Sequence, residues 1–132
     1  MLAFVLLRIG RIWGDAELER RAEGVLALAG GQLARLPTSF GWMLVALDQH
    51  LASHRELAIV GDPAAEVARA ALAGRAPTDV VAFGPADDVP MLAGKGLVGG
   101  APAAVYVCER FACRAPVTDA AELRAALARA SS

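Results

Sequence analysis

Along the first third of the chain, apolar residues recur at steps of three and four, the period of a helix with one face turned inward. Leu2, Val5, Leu6, Ile9 and Trp13 set the first such stripe, and Gly14-Asp15 behind them reads as a stop followed by a new N-cap. From Ala16 the positions Leu18, Ala22, Val25, Ala29, Leu33 and Leu36 keep the period, while Glu17, Glu19, Arg20, Arg21 and Glu23 take the opposite face. A longer second helix is therefore expected, weakened at Gly30-Gly31 and ended by Pro37. Thr38 or Ser39 is placed to cap a third helix, whose stripe runs through Phe40, Met43, Leu44, Leu47 and Leu51.

At Leu57 the period is replaced by unbroken apolar runs. The stretch "LAIVGDPAAEVARAALAG" reads as a strand, a Gly-Asp-Pro turn and a helix ending at Gly74, with Asp62 as N-cap and Pro63 in the first turn. "TDVVAFG" and "AAVYVC" read as two more strands, and "VTDAAELRAALARA" as a closing helix whose Asp119 and Glu122 have the spacing of a capping pair. Strands without polar alternation, separated by crossover-length segments, predict parallel pairing. The expected fold class is α/β: a helical segment over 1–55, then a small module over 56–132 with a three-stranded, mostly parallel sheet and flanking helices. Gly84 to Pro102, rich in glycine and proline, is the expected loop.

Composition narrows the functional classes. Thirteen Lys and Arg against 14 Asp and Glu leave no field to attract nucleic acid or an anionic membrane, so neither is an expected partner. The first apolar run, Met1 to Leu7, is far shorter than the roughly 20 residues that span a bilayer. Arg8 and Arg11 follow that run instead of preceding it, which argues against a signal peptide. The expected location is the cytoplasm, where thiols stay reduced.

The chain has two cysteines, Cys108 and Cys113, and their spacing is not the C-x-x-C of thioredoxins. They are expected to be structural, reduced thiols without oxidoreductase activity; a redox pair is the alternative. His50 and His54, one helical turn apart, add two possible zinc ligands to the cysteines, though the usual knuckle spacing is missing and no metal is expected. Gly61-Asp62 stands between strand and helix, where backbone amides can meet a small ligand, but it lacks the flanking glycines and lysine of nucleotide motifs. The loop "ADDVPMLAGKG" offers Asp87, Asp88 and Lys95 to a ligand. No serine, histidine and acid form a recognisable triad, no cofactor is expected, and the isolated chain is expected to be non-catalytic.

Four strings, "PTSFGWMLVALDQHL", "LAIVGDP", "PMLAGKGLVGGAPAAVYVCERFACRAPVTD" and "ELRAAL", resemble in that order the C-terminal end of a family of long thioredoxin-domain-containing proteins, relatives of the spermatogenesis-associated thioredoxin-like protein. Ala104 to Asp119 is the specific part. The resemblance implies a thioredoxin-like domain and a six-hairpin toroid of paired helices upstream, with this chain as the last toroid helices joined to a small α/β terminus. It also implies a partner for the N-terminal helices, either that toroid or a second copy. It carries no catalytic residue onto this sequence. The competing expectation is a small redox or ligand-binding protein using Cys108, Cys113 and the Gly61-Asp62 turn.

Overall fold

The computed structural model describes residues 1–52, 55–85 and 87–129; His54, one of the possible zinc ligands, lies outside them. The chain divides into two compact units, Met1–His54 and Arg55–Ser132.

The first unit holds α1 (Leu2–Trp13), α2 (Ala16–Leu33), a 3-10 turn over Pro37–Phe40, and α3 (Gly41–Leu51). Gly14, at φ 66°, closes α1 by returning its N–H to the Gly10 carbonyl, and the Asp15 carboxylate then accepts the N–H groups of Glu17 and Leu18 to open α2. Gly10 is needed for packing, because a Cβ there would stand 2.9 Å from Glu19 Cγ and 3.1 Å from the Asp15 carbonyl. Ala3, Leu7, Ala22, Leu26 and Ala46 form the centre, with Met43 and Leu47 partly buried against it. Arg11 is buried and donates to the Gln49 carbonyl at 3.0 Å, joining α1 to α3. On α2, a hydrogen bond from Arg21 and the charge of Arg20 hold Glu17 below the ordinary carboxylate range. Thr38 and Ser39 do not cap α3: they lie within the 3-10 turn, and Phe40 precedes the helix without a side-chain cap bond.

The second unit holds β1 (Glu56–Gly61), α4 (Glu66–Gly74), β2 (Val80–Phe83), a 3-10 turn over Pro90–Leu92, β3 (Ala103–Glu109), β4 (Ala112–Cys113) and α5 (Ala120–Arg129). The three expected strands share one sheet, but it has four strands in the order β2-β1-β3-β4, and only β1 and β2 are parallel. β3 runs antiparallel to β1, and β4 antiparallel to β3. The expectation of a mostly parallel three-stranded sheet is corrected accordingly. The reason lies in the connection: β2 ends level with the end of β1, and Gly61 pairs with Ala103, so β3 starts where β1 finishes. A loop passing over the strand ends suffices for that. A third parallel strand would need a return along the whole sheet, the task of a crossover helix, and Gly84 to Pro102 contains only a 3-10 turn.

Side chains alternate across the sheet. Leu57, Ile59, Ala103 and Val105 pack with Val67, Ala71, Leu123 and Leu127 beneath α4 and α5. Glu56, Ala58, Val60, Tyr106 and Cys108 occupy the intervening positions and belong to the other face. α4 starts later than expected: Asp62 does not cap it but accepts the Ala64 N–H at 2.8 Å in a turn of its own, and Pro63 precedes the helix. Asp119 does open α5, accepting the Glu122 N–H at 2.8 Å.

A buried ion pair ties the strand starts together. Arg55 bonds both oxygens of Asp79, at 3.1 and 2.7 Å, and a further guanidinium nitrogen reaches the Leu127 carbonyl at 2.7 Å. Asp79 also accepts the Ala76 N–H at 2.7 Å. The two charges are 6% and 2% exposed, so β1, β2 and the end of α5 meet around a satisfied, dehydrated pair.

Candidate functional site

Two places in the α/β unit carry features beyond packing, and they stand at opposite ends of β1. The first is the hairpin "CERFAC". Cys108 pairs with Cys113 and Glu109 with Ala112, leaving Arg110 and Phe111 as a two-residue loop. Both have positive φ, 50° and 63°, the pattern of a type I′ turn, which normally selects Asn-Gly. Left-handed backbone at a non-glycine residue costs about 1–2 kcal/mol, so something else must hold the turn. One restraint is Glu56, a buried carboxylate that accepts the Phe111 N–H at 2.8 Å. The other is a disulfide between Cys108 and Cys113.

That disulfide corrects the expectation of two reduced thiols. C-x4-C is a loose spacing in an arbitrary turn, but in a two-residue hairpin it places both cysteines directly opposite. Arg114 N donates to the Val107 carbonyl, so Val107 and Arg114 form a hydrogen-bonded pair and Cys108 and Cys113 the close, non-hydrogen-bonded pair beside it. Their Cα atoms are 3.9 Å apart. The two sulfur-bearing residues differ in access: Cys108 is buried at 2% exposure, whereas Cys113 lies on the exposed edge strand. Beyond it Val117 bridges back to Val105, so three residues, Arg114 to Pro116, face only Tyr106 and Val107 in a β-bulge. Pro116 is accommodated there, where a ladder N–H is not required.

The second place is a pocket of about 360 Å³ at the carboxyl ends of β1 and β2, lined by Val60, Gly61, Phe83 to Pro85 and Lys95 to Leu97. Crevices outside strand carboxyl ends are where open α/β sheets bind ligands. Gly61 lines this pocket as expected, but Asp62 is not among its lining residues and is engaged with Ala64. Gly61 admits no other residue easily: at φ 103° a Cβ would stand 2.3 Å from the Pro102 carbonyl. Of the loop charges, Lys95 reaches the pocket wall, while Asp88 approaches Gly84 from outside the lining. Tyr106 holds the Lys95-bearing loop in place, accepting the Gly96 N–H at 3.2 Å and donating to the Gly96 carbonyl at 2.9 Å.

The hairpin pairs with the first residue of β1 and the pocket with its last, about 17 Å apart at the rise of a strand. The cysteines and the Gly61 turn are therefore two sites, not one. Both cysteines are used in the disulfide, and among the described residues no three His, Cys, Asp or Glu side chains are grouped to hold a metal. No described helix is long and apolar enough to cross a membrane. Glu56, Tyr106, Phe83 and Leu97 escaped the sequence reading. Glu56 had a signal, a lone acid opening the apolar run "ELAIV"; the others announce themselves only once the loop is folded over the strand ends. Comparison with protein-family models, curated proteins and solved structures finds no match to this chain.

Proposed function

We propose that the chain serves as a non-catalytic C-terminal module of a long thioredoxin-domain-containing protein with a six-hairpin toroid. The observation that carries this reading, beside the resemblance of the four strings, is α1. Its inner face is built from Ala3, Leu7 and Gly10, yet its outer face carries Leu2, Val5, Ile9 and Trp13, 39–68% exposed together with Met1. Arg8 and Arg11 are the only charged residues of α1, and an exposed apolar stripe of this kind marks a surface that neighbouring helices cover. Of the α3 stripe, Met43 and Leu47 are partly buried within the unit, whereas Leu44 and Leu51, with Trp42 and Val45, are exposed. The test is the gene itself: an in-frame region encoding a thioredoxin-like domain and paired helices supports the module, and its absence from the reading frame sinks it. A second copy covering α1 is the alternative, read by sedimentation of the parent against Ile9→Glu, where only a self-associating parent changes its oligomeric state.

The disulfide supports a second reading, a thiol-exchange protein. A small-molecule thiolate would attack the exposed Cys113 sulfur, break the S–S bond and release Cys108 as a thiolate that takes a proton from solvent. A second thiol would then attack the mixed disulfide, giving back Cys113 as a thiol and leaving the oxidised small-molecule disulfide. Two thiols are oxidised and one protein disulfide is reduced. Turnover in a disulfide-exchange assay that vanishes in Cys113→Ser supports this reading; stability loss on reduction without turnover rejects it.

A further inference from the structure

The pocket at the carboxyl ends of β1 and β2 has a chemical character of its own, independent of whether the chain is part of a longer protein. Its lining is largely apolar: Val60 from β1, Phe83 from β2 and, at the rim, Leu97 from the following loop. Phe83 and Leu97 are 47% and 56% exposed, and Val98, next in the loop, is 43% exposed. Large apolar side chains concentrated around one concavity, instead of scattered singly, are the usual lining of a small-molecule site.

Lys95 is the one formally charged residue of the lining. It lies 6.0 Å from the centroid of the Tyr106 ring, over its face, and among the described residues it makes no ion pair. The ring in turn is anchored through its hydroxyl to both backbone groups of Gly96, so the cation is carried on a loop that the sheet fixes. Two of the three glycines of the wall are sterically required: a Cβ on Gly61 would collide with the Pro102 carbonyl, and one on Gly84 would stand 2.9 Å from the Asp88 carboxylate. Asp88 thus lies behind Gly84, outside the lining, and does not neutralise the cavity from within.

We infer that this pocket binds a small amphipathic monocarboxylate, its alkyl or aryl tail between Val60, Phe83 and Leu97 and its carboxylate on Lys95. The volume of about 360 Å³, set against about 30 Å³ for each water it displaces, suits roughly twelve non-hydrogen atoms. An apolar lining with a single cation selects an acid over the matching alcohol or amine, and it selects on tail length.

The experiment uses the full chain and a homologous series of straight-chain carboxylates from four to twelve carbons, with the matching alcohols. Binding is followed by calorimetry and by amide shifts of Gly61, Gly84 and Gly96. Affinity is expected to rise about fourfold per added methylene until the tail fills the cavity, and then to level off. The acid should bind about fivefold more tightly than its alcohol, the effect of one partly exposed ion pair. Lys95→Met should bring acid and alcohol to equal affinity, and Lys95→Arg should restore the difference. Leu97→Trp, at an exposed rim position that leaves the core untouched, should abolish binding of both. The inference is overturned by absence of saturable binding up to millimolar ligand, by equal affinity of acid and alcohol in the parent, or by shifts confined to other surfaces and insensitive to Leu97→Trp. None of these outcomes bears on the upstream gene sequence, so the module reading stands or falls separately.

Discussion

Replacing Asp79 by asparagine keeps the shape of the side chain and removes only its charge and one acceptor oxygen. In the parent, both Asp79 oxygens are occupied: one by Arg55 Nε, the other by an Arg55 terminal nitrogen and by Ala76 N–H. An asparagine has one oxygen for these donors, and its NH2 group points a donor at donors. Charge-assisted bonds contribute about 1.5–3 kcal/mol, and a guanidinium left without its counter-ion at 6% exposure adds a desolvation penalty. Removing one partner of a buried pair costs about 3–5 kcal/mol in all. Against a typical total of about 5–15 kcal/mol, that is enough to bring a small α/β unit close to unfolding. Both tryptophans, Trp13 and Trp42, lie in the helical unit, so fluorescence is the wrong probe. Hydrogen exchange of peptides from β1, β2 and α5 in a urea series reads the right one. With a slope near 2 kcal/mol per molar, the midpoint should fall by about 1.5–2.5 M. The surface pair Arg124–Glu66, with both side chains more than half exposed, is the control: Arg124→Ala should change the stability by less than about 0.5 kcal/mol, a midpoint shift under about 0.25 M. Arg55→Met with Asp79→Leu should recover most of the loss, short by about 1 kcal/mol for the Leu127 carbonyl that Arg55 no longer satisfies. A loss below about 1 kcal/mol for Asp79→Asn, or additive single losses in the Arg55/Asp79 cycle, would refute the argument from burial.

Reduction of the disulfide should lower the stability of the α/β unit by about 2 kcal/mol, the loop-closure value for so short a ring; a thermal melt with and without reductant measures it, and Cys113→Ser should be indifferent to reductant. Exchanging Arg110-Phe111 for Asn-Gly should raise stability by about 1–2 kcal/mol, since the turn then has residues suited to positive φ, and an unchanged or lower melting temperature would contradict the turn assignment. Gly61→Ala meets both a strained φ and the Pro102 carbonyl, whereas Gly94→Ala meets a strained φ of 70° with open space around it. The Gly94 variant should lose about 1 kcal/mol and the Gly61 variant clearly more, with the order read from urea midpoints.

Much of the local structure was written in nearest-neighbour patterns. The stop at Gly14 and cap at Asp15, the three apolar strands and the Asp119 turn all depend on residues within a few positions of each other, and each formed where its pattern placed it, while α2 ends early at Leu33 and α3 starts at Gly41 without the expected Thr38 or Ser39 cap. That Leu2, Val5, Ile9 and Trp13 share one face of α1 was visible from their spacing, but not which face turns inward: the core takes Ala3, Leu7 and Gly10, and the stripe read as inward is exposed.

Strand direction was not written that way. An unbroken apolar run says that both faces of a strand are buried, and burial is indifferent to the direction of the neighbour. Only the path of Gly84 to Pro102 over the strand ends makes β3 antiparallel to β1. The site depends on the same long-range facts. Cys108 and Cys113 become partners because Arg110 and Phe111 accept positive φ while Glu56, more than fifty residues away, holds the turn. Lys95 becomes part of a pocket because Tyr106 grips Gly96 and because Val60 and Phe83 end side by side. Arg55 and Asp79 find each other across two strands started in register. Each of these is a contact between segments that the chain keeps apart, and its geometry exists only after the sheet has closed.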